Sequence, residues 1–185
     1  MQRYILEHTG KIISTLSGTI DLLTLNTLAE SIYIDSDDRY DLTDYYDFGS
    51  QQFLSVGNQP TSNHVFDYGL KQWIDPRTLD DIKAQKWTSL KTQRNSFEFG
   101  GFEFQGNTYD SDQVSQGRML GVVLAGLPQI WTLANNTTVS LSAEQLKSLY
   151  VALQMHIAVA HERGRIAREA IQAATTKEQI EAIVF

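Results

Sequence analysis

An α+β fold is predicted by three observations. Short period-two runs, each broken by turn residues, fill the chain from Arg3 to about Asp75. The periodicity switches to helical at Asp75-Pro76, and from there helices alternate with short hairpins as far as one long C-terminal helix.

The first part is expected to hold strands over Arg3 to Glu7 and Ile12 to Leu16 around a turn at His8-Thr9-Gly10-Lys11, then Ser31 to Ile34 and Thr43 to Phe48. Leucines at 22, 25 and 28 favour a short helix over Leu22 to Glu30. The polar run Gly57-Asn58-Gln59-Pro60-Thr61-Ser62-Asn63 suits a linker, which divides the chain into an acidic β-rich module, 1–63, and a second module, 64–185. His64 to Asp75 opens the second module as a hairpin turning near Tyr68-Gly69.

Asp75 is a good N-cap and Pro76 fits the first helical position, so a helix of about five turns is expected to begin there. Its apolar face holds Leu79, Ile82, Trp87 and Leu90 with the stems of Lys83 and Lys86. It ends before Gly100-Gly101, where Phe102, Glu103 and Phe104 enter a hairpin turning at Gln105-Gly106-Asn107. Ser111 or Asp112 then caps a helix from Gln113 to about Leu127, stopped by Pro128. A third hairpin turns at Asn135-Asn136, where asparagine tolerates positive φ. Ser142-Ala143-Glu144-Gln145 is a capping box opening the long helix, whose stripe runs through Leu146, Leu149, Leu153, Ile157, Ala160, Gly164, Ala167 and Ile171. That helix is expected to pack on the one starting at Pro76. Thr175-Thr176-Lys177-Glu178 caps a short terminal helix, Lys177 to Ile183.

Composition narrows the function. A chain of 185 residues, 42% hydrophobic, buries about 70% of its unfolded surface, enough for one core or two small ones. It has no cysteine, which removes thiolate chemistry and disulfides. The opening MQRYILEHTG lacks the apolar core of a signal peptide, and no run approaches the ~18 apolar residues of a membrane span. A protein made in the cytoplasm, without membrane insertion, is expected. Residues 1–75 hold 4 basic and 11 acidic side chains and so carry the whole net charge of −7. That surface repels phosphate backbones, so nucleic acid is not an expected partner.

The polar clusters favour structural roles. Tyr109-Asp110-Ser111-Asp112 precedes a helix, where Asp and Ser satisfy free amides. The run Asp35, Asp37, Asp38, Asp41, Asp44 and Asp47 begins like a calcium loop, but the sixth position is Tyr40 instead of glycine and the twelfth is Tyr46 instead of glutamate. Asp47-Phe48-Gly49 spells a kinase tripeptide without the motifs that accompany it. His156 and His161 lie about 140° apart around a helix and do not share one metal readily. Arg163, Arg165 and Arg168 neighbour Glu162 and Glu169 and are expected to form ion pairs at a solvated helix end. No catalytic residue, metal ligand or cofactor site is expected, and no enzyme. Trp87 and Trp131 are expected in cores. Tyr40, Tyr45, Tyr46 and Phe48 in the acidic loop, with Trp73, are candidate interface residues, since aromatics in polar loops favour protein interfaces and carbohydrate sites. On the long helix Tyr150, Val151, Met155 and Val159 fall off the main stripe and make a second apolar flank, so Tyr150, Met155 and Val159 join the candidates.

From about His64 to Phe185 the order HVFDYGLKQWIDP, IKAQKWTSLKTQRNSFEFGGF, NTYDSDQVSQGRM, WTLANNTTVSLSAEQL and ALQMHIAVAHERGRIAREAI before TTKEQIEAIVF resembles a domain of unknown function found at the C-terminal ends of small tail-fibre and baseplate proteins of tailed bacteriophages. The resemblance implies a virion part, a baseplate or tail-fibre attachment protein acting through contacts with other tail or baseplate proteins. It also implies a homo-oligomer, a trimer as in fibre-like proteins. Two alternatives stay open: a tail-fibre assembly chaperone absent from the finished particle, and a carbohydrate-binding fibre tip. The family lends no catalytic residue.

Overall fold

A computed structural model describes all residues, Met1–Phe185, and shows an α+β protein that divides into two compact units, Met1–Arg77 and Thr78–Phe185.

The first unit is built of strands. β1 (Gln2–Leu6) is the centre of a three-stranded antiparallel sheet, between β2 (Ile12–Ser17) and β3 (Ile32–Ser36). The turn between β1 and β2 needs Gly10: its φ is +88°, and a Cβ there would lie 1.9 Å from the Tyr46 carbonyl oxygen. That approach lets the Tyr46 amide donate to Gly10 O at 2.8 Å, tying β4 (Asp44–Asp47) to the turn. The predicted helix at 22–30 exists as α1, shifted to Ile20–Asn26: the Thr19 carbonyl already accepts the Leu23 amide, and the chain becomes extended at Thr27, whose hydroxyl donates to Leu23 O. The sequence reading missed β5 (Gln52–Ser55), which pairs with β4. A short hairpin follows, β6 (Val65–Asp67) with β7 (Gln72–Ile74).

Successive residues of β4 feed two aromatic clusters, since a strand sends alternate side chains to opposite faces. Tyr46 meets Phe53 edge-on at 5.0 Å, and Phe53 in turn stacks on Tyr40 at 4.0 Å and lies 4.9 Å from Tyr4. Tyr4 is fully buried, and its hydroxyl donates to the Asp38 carbonyl and accepts the Tyr40 amide, each at 2.9 Å. On the other face Tyr45 packs on Phe66 at 5.4 Å, and Phe66 meets Tyr68 and Trp73 edge-on.

These contacts move the module boundary. The run 57–63 is a loop inside the first unit, not a linker between modules, and the boundary falls at Arg77 instead of after residue 63. Three bonds hold the β6–β7 hairpin there. Trp73 Nε1 donates to Val56 O at 2.9 Å, Gln59 Nε2 to His64 O at 2.7 Å, and Lys71 Nζ to Thr9 O at 2.7 Å.

The second unit starts at α2 (Leu79–Phe99). Its N-cap is Thr78, not Asp75: the Thr78 hydroxyl accepts the Asp81 amide while the Asp81 carboxylate accepts the Thr78 amide. Asp75 grips the Arg77 guanidinium instead, at 2.7 Å. β8 (Phe102–Phe104) and β9 (Asn107–Tyr109) form a hairpin over the two-residue turn Gln105-Gly106, both at positive φ. α3 (Gln113–Ala125) is capped by Asp112 and ends at Gly126, whose φ of 68° gives a left-handed stop before Pro128 is reached. β10 (Gln129–Thr132) and β11 (Thr138–Leu141) form the next hairpin, with Asn136 at φ 64° as expected for its turn. α4 (Ala143–Ala173) carries the Ser142/Gln145 capping box, and α5 (Lys177–Glu181) is capped by Thr176.

α4 organises the unit by serving two cores with one stripe. Its N-terminal half sends Leu146, Leu149 and Leu153 into a cluster with Phe102, Tyr109, Met119, Leu133 and Leu141, so it gathers both hairpins and α3. Its C-terminal half sends Ala167 and Ile171 against Leu90 of α2, and Ala174 joins Ile82 and Ile180. Small residues at Ala160 and Gly164 keep the two long helices close. Lys83 and Lys86 are half-buried on the packed face of α2, where their stems were expected, and their ammonium groups do more: Lys83 Nζ donates to Gln172 O and Lys86 Nζ to Glu181 O, closing carbonyls at the end of α4 and in the last turn of α5.

Candidate protein interface

The outer face of α4 follows from its sequence. Leucines and small residues recurring at 3.6-residue spacing fill the inner stripe, so the remaining apolar residues project elsewhere. Val151, Met155, Val159 and Ile166 are 57%, 65%, 43% and 58% exposed. Their spacing, with Glu162 between the last two, traces one line along the helix for about 22 Å. The single charge on that line, Glu162, is paired with Arg165. Tyr150 sits beside it, half-buried against the first core.

α3 adds a second source of exposed apolar surface. Seven of its thirteen residues are aliphatic or Met, yet only Ser115 and Met119 are buried. Val114, Leu120 and Leu124 stay exposed, and Leu127 and Ile130 continue the apolar surface beyond the helix end. Between α3 and α4 runs a groove of about 300 Å³ lined by Gln113, Gln116, Gly117, Leu120, Tyr150 and Gln154, so Leu120 and Tyr150 border one surface. Sequence reasoning missed this contribution. The signal was there in MLGVVLAGL, a run too uniformly apolar for one helix to bury on one side.

The aromatic candidates separate by burial. Tyr45 is 7% exposed and belongs to the core of the first unit. Trp73 is half-buried, its indole nitrogen committed to Val56 and its ring to Phe66. Tyr40 and Tyr46 are half-buried on Phe53, and Phe48 projects at 43% exposure. Tyr40 and Tyr46 also line an open groove of about 440 Å³ with Ile34, Asp35, Ser36, Gln51, Gln52 and Phe53.

Several aspartates shape turns and helix caps. Asp41 accepts from Thr43, Asp47 from Ser50, and Asp112 from Ser115 and Val114, which holds all three carboxyls below their usual range, in each case first through the hydroxyl. Asp35 binds Arg3 through both oxygens at 2.7 Å. No group of three or more His, Asp or Glu side chains is placed to hold one metal ion. His156 Nε2 lies 2.8 Å from Phe97 O with its ring stacked on Phe97, and His161 faces Glu98 at 3.4 Å. Arg163 covers the rings of Phe97 and Phe185, and Arg168 that of Trp87. No helix is long and apolar enough to cross a membrane.

Taken with its fold, this surface defines an α+β protein whose longest helix is packed on one side and open and apolar on the other. Residues 81–184 match the model of a domain of unknown function (DUF4376), and the chain belongs to that family. No curated protein and no solved structure matches it.

Proposed function

We propose that this chain is a structural component of a tailed-phage virion, a baseplate or tail-fibre attachment protein that works through protein–protein interfaces. The observation that carries the reading is the exposed line Val151, Met155, Val159 and Ile166 on a helix whose other side is fully engaged. A line of apolar side chains with one internally paired charge suits another helix, because only a helix presents matching knobs over about 22 Å. The occupant is α4 of a second copy, in keeping with the trimer implied by the likeness to fibre proteins. Mass spectrometry of purified virions tests the function: the chain is expected in stoichiometric amount with the tail proteins. Its absence from particles that need it for assembly would establish the chaperone alternative instead.

A second reading, a carbohydrate-binding tip, is supported by the groove of about 440 Å³ in the first unit, where tyrosine rings and the amides of Gln51 and Gln52 combine stacking surface with hydrogen-bonding groups. Trp73, a candidate interface residue from sequence, does not line this groove: it packs on Phe66, with its indole nitrogen donating to Val56 O. Glycan-array binding lost in a folded Gln52→Ala chain would favour this reading.

A further inference from the structure

The β10–β11 hairpin has an open edge. Antiparallel strands alternate between residues that exchange hydrogen bonds with the partner strand and residues whose amide and carbonyl point away from it. Leu133 N donates to Thr137 O at 2.8 Å, which sets the parity: Leu133, Trp131 and Gln129 face β11, and the backbone groups of Thr132 and Ile130 point outward. Ala134, of the same outward parity, donates its amide to Thr108 O of β9 at 3.1 Å. So β9 starts to add itself to this edge and then leaves it at Asp110, where the chain turns into α3. Beyond that point the edge is unpaired.

A groove of about 460 Å³ opens there, lined by Gln129, Ile130, Trp131 and Thr132 on one side and by Asp110, Ser115, Arg118 and Val122 on the other. Four consecutive strand residues border it. A groove over a sheet face would touch alternate residues only, so this one runs along the edge. Ser115, Arg118 and Val122 are spaced i, i+3 and i+7 and form one wall of α3. Arg118 and Asp110, both exposed, make no ion pair or side-chain hydrogen bond within the chain, so the groove holds one free charge of each sign.

We propose that this groove accepts an extended segment of a different protein, which takes the place β9 vacates and pairs with β10 at Thr132 and Ile130. The edge dictates an extended backbone, since only a strand meets two outward amides and two outward carbonyls in register. The walls dictate its side chains: an acid for Arg118, a basic residue for Asp110, and an aliphatic residue between Val122 and Trp131. This deepens the docking reading by naming the kind of partner segment, but it stands on the groove alone. A chain found in virions whose edge binds no strand would keep the proposed function and lose this inference.

The test uses the full chain and an array of peptides of about eight residues, alternating valine and threonine, with one glutamate and one lysine placed at every pair of positions. A subset with one fixed charge spacing is expected to bind. Thr132→Pro removes an outward amide without touching the ladder to β11, and it should weaken that binding at least about tenfold, as should Arg118→Ala. Methylating alternate peptide amides should do the same on the unaltered protein, which keeps the test valid if the proline chain fails to fold. No binding peptide, or binding indifferent to both Thr132→Pro and peptide methylation, overturns the proposal. A wild-type dimer that Thr132→Pro dissolves would assign the edge to a second copy and overturn it as well.

Discussion

The Ser111 hydroxyl donates to the Glu98 carbonyl at 2.6 Å, from a side chain with no exposed surface, and accepts the Gly101 amide at 2.9 Å. One hydroxyl thereby ties the end of α2 to the residue before the Asp112 cap of α3. Ser111→Ala leaves a buried carbonyl and a partly buried amide without a partner. The expected loss is about 1–3 kcal/mol in chemical denaturation. A chain of unchanged stability would show that water replaces the hydroxyl.

Leu153 is completely buried where α4 meets both hairpins and α3. Leu153→Ala is expected to cost about 2–5 kcal/mol, read from the urea midpoint at unchanged slope. Val151→Ala, four-tenths buried and two residues away, should change little when both are measured at concentrations low enough for the chain to be a monomer. Equal losses would contradict the assignment of inner and outer faces.

Acid should weaken the first unit through Arg3 and Asp35. The hydrogen bonds from the Arg3 guanidinium hold the Asp35 carboxyl below its usual range. A depressed folded pKa contributes stability that is complete above the unfolded value of about 3.9 and is lost as pH falls through the lower folded value. Thermal melts from neutral to strongly acid pH should show a steeper loss for the wild type than for Asp35→Asn, which starts lower. Parallel profiles would remove this pair from the acid response.

Much of this architecture is legible in the sequence because it is encoded locally. The capping box at Ser142, the stripe from Leu146 to Ile171 and the Gly-containing turn after Phe104 each state their structure within a few residues. Two boundaries differ from the sequence expectation where a local signal has two uses. Asp75-Pro76 looks like a helix start, yet Asp75 serves Arg77 and the start passes to Thr78, whose capping box with Asp81 satisfies amides from both sides. The run 57–63 looks like a linker, yet the bonds to Val56 and His64 that retain it come from partners no spacing announces.

The candidate surfaces were legible in part. Met155 and Val159 project because the stripe fixes which side of α4 is inward, whereas the burial of Tyr45 depends on Phe66 and Tyr68 from another hairpin. The open edge of β10 was invisible, since it follows from where β9 departs and not from the residues of β10 themselves.

The central claim is that the outer face of α4 joins copies of this chain, and light scattering of the Met155→Lys, Val159→Glu double variant tests it most directly. Both positions are exposed, so circular dichroism should show the helices retained. The account predicts an oligomeric wild type at tens of micromolar, about three chains in mass, and a double variant that falls toward the monomer. A wild type that is already a monomer at that concentration, and that the double change leaves unaltered, would contradict it.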